Sequence, residues 1–526
     1  MALIEPQNPV NLQNLKFFKR DEYELTINQS IQSLLNSLQN PNPDLSVFTS
    51  TFLKLMQAKP NPLLETIWIF SGLTFQINNS LNDDLLGELS AVKDLFQSIT
   101  ACSDACSPSI CIALIAPVIF KLHRLAVDSK KKNVDSKRGK KANREIRSLL
   151  DVILGYFNVC CDQSNGDDDS GLVRPLKDLV SIWVHGEKTE NGAAFNGLKQ
   201  FFPLFSDEII DCVTEESAGV VGLLAGAVIL EAFLLKLCLK FSDGSSRHEL
   251  QNELRSWAVC SITGFHNFYF FDMLVNMLLE PNLTVMSLLS SEDESFLRKL
   301  LYDVVILPDY SFLNLEKVGH LSNNHIKNNI LSRLTVTHEA IELFRKNKDH
   351  MKAISYANAF SGSHLPTLIT KLVTSELGSR GSESQLKGSS PAAFLKWMLD
   401  LEDQGLNLCD GFMSKHRERL VGYSSRMDLD QPSSEKTDNS LLFFIDNKGN
   451  DDDDDENIND SMNDVFVAAA REMQSGKKRK ESKKKKDGAK FQRYNLLGSR
   501  SVGEFDNDDS DSASEVEDPD SDEDRE

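Results

Sequence analysis

Between residues 12 and 401 the chain repeats one pattern, apolar stretches of about 10 to 20 residues at helical spacing parted by short polar or Pro/Gly/Asn/Ser segments. Leu149, Leu150, Val152, Ile153 and Tyr156 stand at i, i+1, i+3, i+4 and i+7, which places them on one face of a helix. The same reading predicts helices over 64–75, 110–127, 149–160, 220–241, 257–279, 296–307 and 334–344. Strand-like alternation does not recur. Breakers sit where helix ends are expected: Pro41 and Pro43, Pro60 and Pro62, Pro281, Pro308. The expected fold class is all-α.

A single hydrophobic core rarely grows past about 250–300 residues, so a helical region approaching 400 residues is more easily built by stacking helix pairs. The apolar segments recur every ~35–45 residues, a period that resembles armadillo and HEAT repeats. The expected architecture is therefore an armadillo/HEAT-like helical solenoid over 1–421, interrupted by a basic loop at 128–147, an acidic turn at 162–170 and a Gly/Ser loop at 375–391. Residues 218–235 form the one membrane candidate, with Gly222 and Gly226 at the spacing of packed membrane helices. Glu231 interrupts that stretch, and Lys236 and Lys240 follow it. It is read as a helix enclosed by other helices, with the glycines permitting close backbone approach, and no membrane partner is expected. Nor does the N-terminus show a basic start followed by an apolar run, so no secretory signal is visible.

Charge changes the picture at the C-terminal end. From residue 441 onward there are 25 acidic and 14 basic residues, which leaves the body 53 acids against 43 bases. The tail holds an acidic run at 451–456, a short helical patch at 463–473, a lysine cluster and an acidic terminus at 504–526. Blocks of like charge repel and stay solvated, so 422–526 is expected to be a disordered acidic-basic-acidic tail read by partners. Lys477, Lys478, Arg479, Lys480, Lys483, Lys484, Lys485 and Lys486 form the expected nuclear localisation signal and a candidate nucleic-acid contact. Ser501, Ser512, Ser514 and Ser521 each have Glu or Asp three residues on, the pattern of an acid-directed kinase site.

A second basic cluster lies in the body: Lys130, Lys131, Lys132, Lys137, Arg138, Lys140, Lys141 and Arg144, followed by Arg147. It contains no aromatic side chain to stack a base, so any nucleic-acid contact is to phosphate and largely blind to sequence. The competing reading is a solvated loop that offers a second import signal. The nine cysteines are scattered, most of them within apolar stretches, as expected of reduced thiols used as small hydrophobes. Cys102, Cys106 and Cys111 lack a fourth ligand at usable spacing and the tight C-x2-C knuckle, so no metal is expected. Phosphate-loop, dinucleotide-binding, zinc-protease and nucleophile-elbow motifs are absent, and His123, His266 and His338 are read as core-edge or surface groups. The expectation is no enzyme, no cofactor and no small-molecule substrate.

The run Gly476-Lys-Lys-Arg-Lys-Glu-Ser-Lys-Lys-Lys-Lys486, followed by Asp508-Asp-Ser-Asp-Ser512 and Asp518-Pro-Asp-Ser-Asp-Glu-Asp524, resembles the tails of eukaryotic nucleolar ribosome-biogenesis proteins and chaperones. Coupled to a helical solenoid, it resembles the scaffold class of ribosome-assembly factors. The resemblance implies a non-enzymatic nucleolar factor in pre-rRNA processing and subunit assembly. Its partners would be an import receptor, ribosome-assembly proteins or basic ribosomal proteins, and RNA through its backbone. The alternative is a nuclear transport adaptor or an acidic histone or ribosomal-protein chaperone.

Overall fold

A computed structural model describes residues 20–40, 43–59, 62–79, 85–103, 106–131, 137–162, 179–180, 182–183, 201–205, 210, 220–241, 247–313, 323–377 and 388–404. The chain divides into two compact units, Met1–Leu441 and Leu442–Glu526, and every described residue belongs to the first. These residues are mostly helical, and no strand occurs among them. The helices are α1 (Arg20–Ser37), α2 (Ser46–Ala58), α3 (Leu64–Asn79), α4 (Leu85–Cys102), α5 (Pro108–Ala113), α6 (Ala116–Lys131) and α7 (Lys137–Asp162). After residue 219 come α8 (Val220–Lys240), α9 (Arg247–Phe265), α10 (Phe268–Leu279), α11 (Ser291–Ile306), α12 (Asn323–Lys346), α13 (His350–Gly362), α14 (Leu365–Leu377) and α15 (Pro391–Asp403).

Two predicted helices are each broken in two. The stretch at 110–127 splits at Leu114 and Ile115 into α5 and α6, and the Leu114 carbonyl freed at the break accepts the Trp68 indole N–H at 3.2 Å. The stretch at 257–279 splits at His266, whose φ of 30° turns the chain out of the helix. Asn267 then caps α10, its side chain accepting from the Phe270 amide at 2.9 Å. Pro117 stands in the first turn of α6 and Gly264 two residues before His266, so each break carries a breaker that the reading of a continuous apolar run passes over.

The expected basic loop at 128–147 is corrected in the opposite sense. Residues 128–131 finish α6 and residues 137–147 open α7, leaving only 132–136 outside the described residues. The cause is the apolar stripe of α7, which reaches back beyond Leu149: Ala142 and Ile146 are fully buried and carry the basic run in helical register. Lysine and arginine are themselves good helix formers. At 375–391, residues 375–377 end α14 and 388–390 lead into α15, where the Ser390 side chain accepts from Ala393 N and Pro391 opens the helix.

Helices close in chain order pack on one another, as α2 with α3, α3 with α4, α4 with α6, α8 with α10 and α12 with α13, and α8 packs as extensively on α5, about a hundred residues earlier. The centre is α8, which packs on α5, α6, α7 and α10. Among the described residues two helical stretches are long and apolar enough to span a membrane, 108–130 (α5 with α6) and 221–240, and 78% and 94% of their apolar windows are buried inside the protein. At Gly226 an added Cβ would stand 2.7 Å from the Phe270 amide nitrogen, so α8 and α10 meet nearly backbone to backbone. One large apolar cluster runs from Tyr23 to Tyr356, and a second, smaller one gathers α14, α15 and the first half of α12.

Candidate nucleic-acid interface

Helix α7 begins with cations and has no acid in its first turn. That arrangement opposes the helix dipole, whose positive end lies there and favours anions. Lys140, Lys141 and Arg144 are exposed on consecutive turns. Lys140 and Arg144 have no acidic partner among the described residues, and along the axis they stand about 6 Å apart.

The acids nearest this face are held by other helices. Glu145 accepts from Lys93 of α4 at 2.8 Å. That hydrogen bond and the lysine's charge hold the Glu145 carboxyl below the usual carboxylate range. Two turns on, Asp151 pairs at 2.6 Å with Lys236 of α8, whose ammonium is almost fully buried and also donates to the Arg147 carbonyl at 3.4 Å. Each acid on this side of α7 is thus answered from an adjoining helix; Lys141 still feels the Glu145 charge, and Lys140 and Arg144 have no acidic partner among the described residues.

The remaining predicted residues of the basic cluster are placed unevenly. Lys130 donates to the Leu288 carbonyl at 3.0 Å, so its ammonium is engaged in packing the 280–290 segment. Lys131 closes α6 and Lys137 and Arg138 open α7, while Lys132 lies outside the described residues. Lys477 to Lys480, Lys483 to Lys486, Ser501, Ser512, Ser514 and Ser521 also lie outside them. Sequence reading missed Lys93, Glu145, Lys236 and Asp151 as parts of this surface. Lys93 and Glu145 are 52 residues apart, and no local pattern joins them.

Other polar groups are accounted for by packing. Cys111 donates to the Ser103 carbonyl at 3.2 Å, and burial, followed by the neighbouring Cys111 and Cys102, pushes the Cys106 thiol up to about 11. Cys160 is raised first by its hydrogen bond with Cys111 and then by burial. Such thiols stay protonated and inert. No group of three or more His, Cys, Asp or Glu residues among the described residues is arranged to hold a metal ion. Asp303, 1% exposed, accepts from the Tyr356 hydroxyl at 2.7 Å and the Lys352 ammonium at 2.6 Å, an ion pair that fixes α11 to α13. Asp272, Asn276, Asn329 and Ser332 form a hydrogen-bonded chain between α10 and α12. His123 and His338 are buried and His266 is exposed. A groove of about 490 Å³ between α3 and α4 is lined by Ser71, Thr74, Phe75, Ser90, Asp94 and Ser98, among others.

No family model, curated protein or solved structure matches the chain.

Proposed function

We propose that this chain is a non-enzymatic nucleolar assembly factor acting in pre-rRNA processing and ribosomal-subunit biogenesis, built as a helical solenoid body with a disordered charged tail. The observation that carries the reading is the order of charge blocks after residue 441, acidic, basic, acidic, joined to a body made of helices. Packing of successive helices, α2 on α3 on α4 and α12 on α13, supports a stacked arrangement over part of the body, while α8 also reaches back to α5, α6 and α7. In this reading the stack offers a long surface to a protein partner, lysine clusters engage RNA phosphate, and the acidic terminus shields basic ribosomal proteins. Lys477 to Lys480 and Lys483 to Lys486 carry the chain into the nucleus.

Depletion followed by blotting of rRNA precursors tests this. The expected result is accumulation of a precursor and loss of one ribosomal subunit relative to the other. Unchanged precursor ratios with normal subunit levels overturn it. Affinity purification separates the alternative, because histones or import receptors recovered without ribosome-assembly factors identify a chaperone or transport adaptor.

A further inference from the structure

We propose that the exposed cations of α7, Lys140, Lys141 and Arg144, bind the phosphodiester backbone of RNA, and that Lys93 on α4 is a positioning residue that keeps this face cationic by holding Glu145. The proposal rests on the assembly-factor reading and names the partner of one surface within it.

The argument begins with a conflict. Cations in the first turns of a helix oppose its dipole, so their place is not explained by the stability of α7. Packing does not explain them either, because Lys140, Lys141 and Arg144 are exposed. Their neighbours show how the charge is preserved. Glu145 follows Arg144 directly and lies four residues beyond Lys141, the spacing at which a lysine and a glutamate on one helix pair with each other. Lys93 takes that carboxylate in a hydrogen bond at 2.8 Å, with Lys141 adding only its charge, and Lys236 takes Asp151 at 2.6 Å. Both acids are neutralised by neighbouring helices, while Lys140 and Arg144 face solvent with no acidic partner among the described residues.

Nucleic acid fits this face better than an acidic protein does. A protein partner is anchored by buried aromatic or aliphatic side chains. Lys140, Lys141, Arg144 and Ser148 offer none, and the exposed aliphatic side chains of α7, Val152 and Val159, lie about two and four turns beyond Arg144. Backbone phosphate needs only positive charge within reach. Successive turns of α7, about 5.4 Å apart, present these cations in series.

The test uses the full-length chain with Lys477–Lys480 and Lys483–Lys486 already neutralised, so that the tail does not mask the body. Binding to a structured RNA is titrated across salt concentrations. K140A/K141A/R144A is expected to make the slope of log K against log salt shallower by about 2 to 3, with an unchanged melting transition. Lys93→Gln is expected to weaken binding about two- to fivefold by releasing Glu145 onto the face. Glu145→Gln alone causes no loss, and the double variant binds like Glu145→Gln. An unaltered slope in the triple variant overturns the site. A Lys93→Gln variant that binds as the parent does, or a double variant as weak as Lys93→Gln, overturns the positioning role. Competition by polyglutamate as strong as that by RNA at equal charge assigns the face to an acidic protein and overturns the RNA assignment. Loss of RNA binding in these variants with unchanged rRNA precursors on depletion would sink the assembly reading and keep the site; the reverse pair of results would sink the site alone.

Discussion

His123 shows how a single residue ties the fold to pH. Its ring is buried on α6, its Nε2 has no hydrogen-bond partner, and burial pulls its pKa down to about 4. The unfolded chain, with a histidine near 6.5, therefore takes up the proton first, and stability present above pH 6.5 is lost as pH falls towards 4. The lowering corresponds to about 3 kcal/mol over that window, at ~1.4 kcal/mol per pH unit. His338, lowered by burial as well, adds to the same slope. Replacing His123 with Leu is expected to flatten the curve of unfolding free energy against pH by about one proton between pH 6.5 and 4, as read from urea melts at several pH values. An unchanged slope would show that His123 is reached by water in the native state. The sequence places His123 among apolar residues and goes no further, since the depth of burial depends on which helices cover α6. The pairing of Lys93 with Glu145 is hidden for the same reason. Each residue alone reads as an ordinary surface charge, and only the packing of α4 on α7 brings the two together.

At the scale of the helix, glycines separate what the sequence can tell from what it cannot. Gly222 and Gly226 carry a spacing signal for close approach, and α8 does meet α10 there. The severity of each position is set by the partner. A Cβ at Gly226 would lie 2.7 Å from the Phe270 amide nitrogen and 2.9 Å from the Tyr269 carbonyl carbon, so backbone has to move. At Gly222 the obstacle is the Tyr269 ring at 2.7 Å, which is able to turn. At Gly155, exposed on α7, nothing lies within 4 Å. Alanine gains roughly 1 kcal/mol over glycine in a helix interior, whereas overpacking costs ~1–3 kcal/mol. Gly155→Ala is thus expected to stabilise by about 0.5–1 kcal/mol and Gly226→Ala to destabilise by about 1–2 kcal/mol, with Gly222→Ala between them. Denaturant midpoints rank the three, and Gly226→Ala melting at or above the parent would mean that the two helices are looser than they stand here. Helix breaks follow the same division. The ends of α14 and α15 are written in Ser, Pro and Gly, and the splits at Leu114 and His266 stand beside Pro117 and Gly264, but which residues leave the helix, and that the Leu114 carbonyl meets Trp68, follows from tertiary packing.

Across the first unit, the way the core is divided bears on how the protein opens. Helicity, and the enclosure of 221–235 by other helices, were legible in the spacing of apolar residues because that spacing is a local property of the chain. Division of the core was not, because it follows from which faces meet. The boundary falls within α12: Ile330, Leu331 and Leu334 join the smaller cluster, and Val336, Ala340, Ile341 and Phe344 join the larger. The smaller cluster holds thirteen buried apolar side chains, most of them from α14 and α15. Helix α12 itself is fastened to α10 by Asn329 on Asp272 at 2.8 Å and Ser332 on Asn276 at 2.6 Å. Opening of the smaller cluster is therefore expected to release α14 and α15 together while α12 stays on α10, because a small set of contacts has to break and the polar chain does not. Hydrogen exchange read by mass spectrometry should show α14 and α15 exchanging with one common, lower protection, and α8 and α10 with the highest. Leu401 is fully buried in the smaller cluster, and Leu401→Ala, worth about 2–5 kcal/mol at such a site, should speed exchange in α14 and α15 and leave α8 unchanged. Equal acceleration in α8 would show that both clusters unfold as one cooperative core, and the boundary within α12 would then carry no thermodynamic weight.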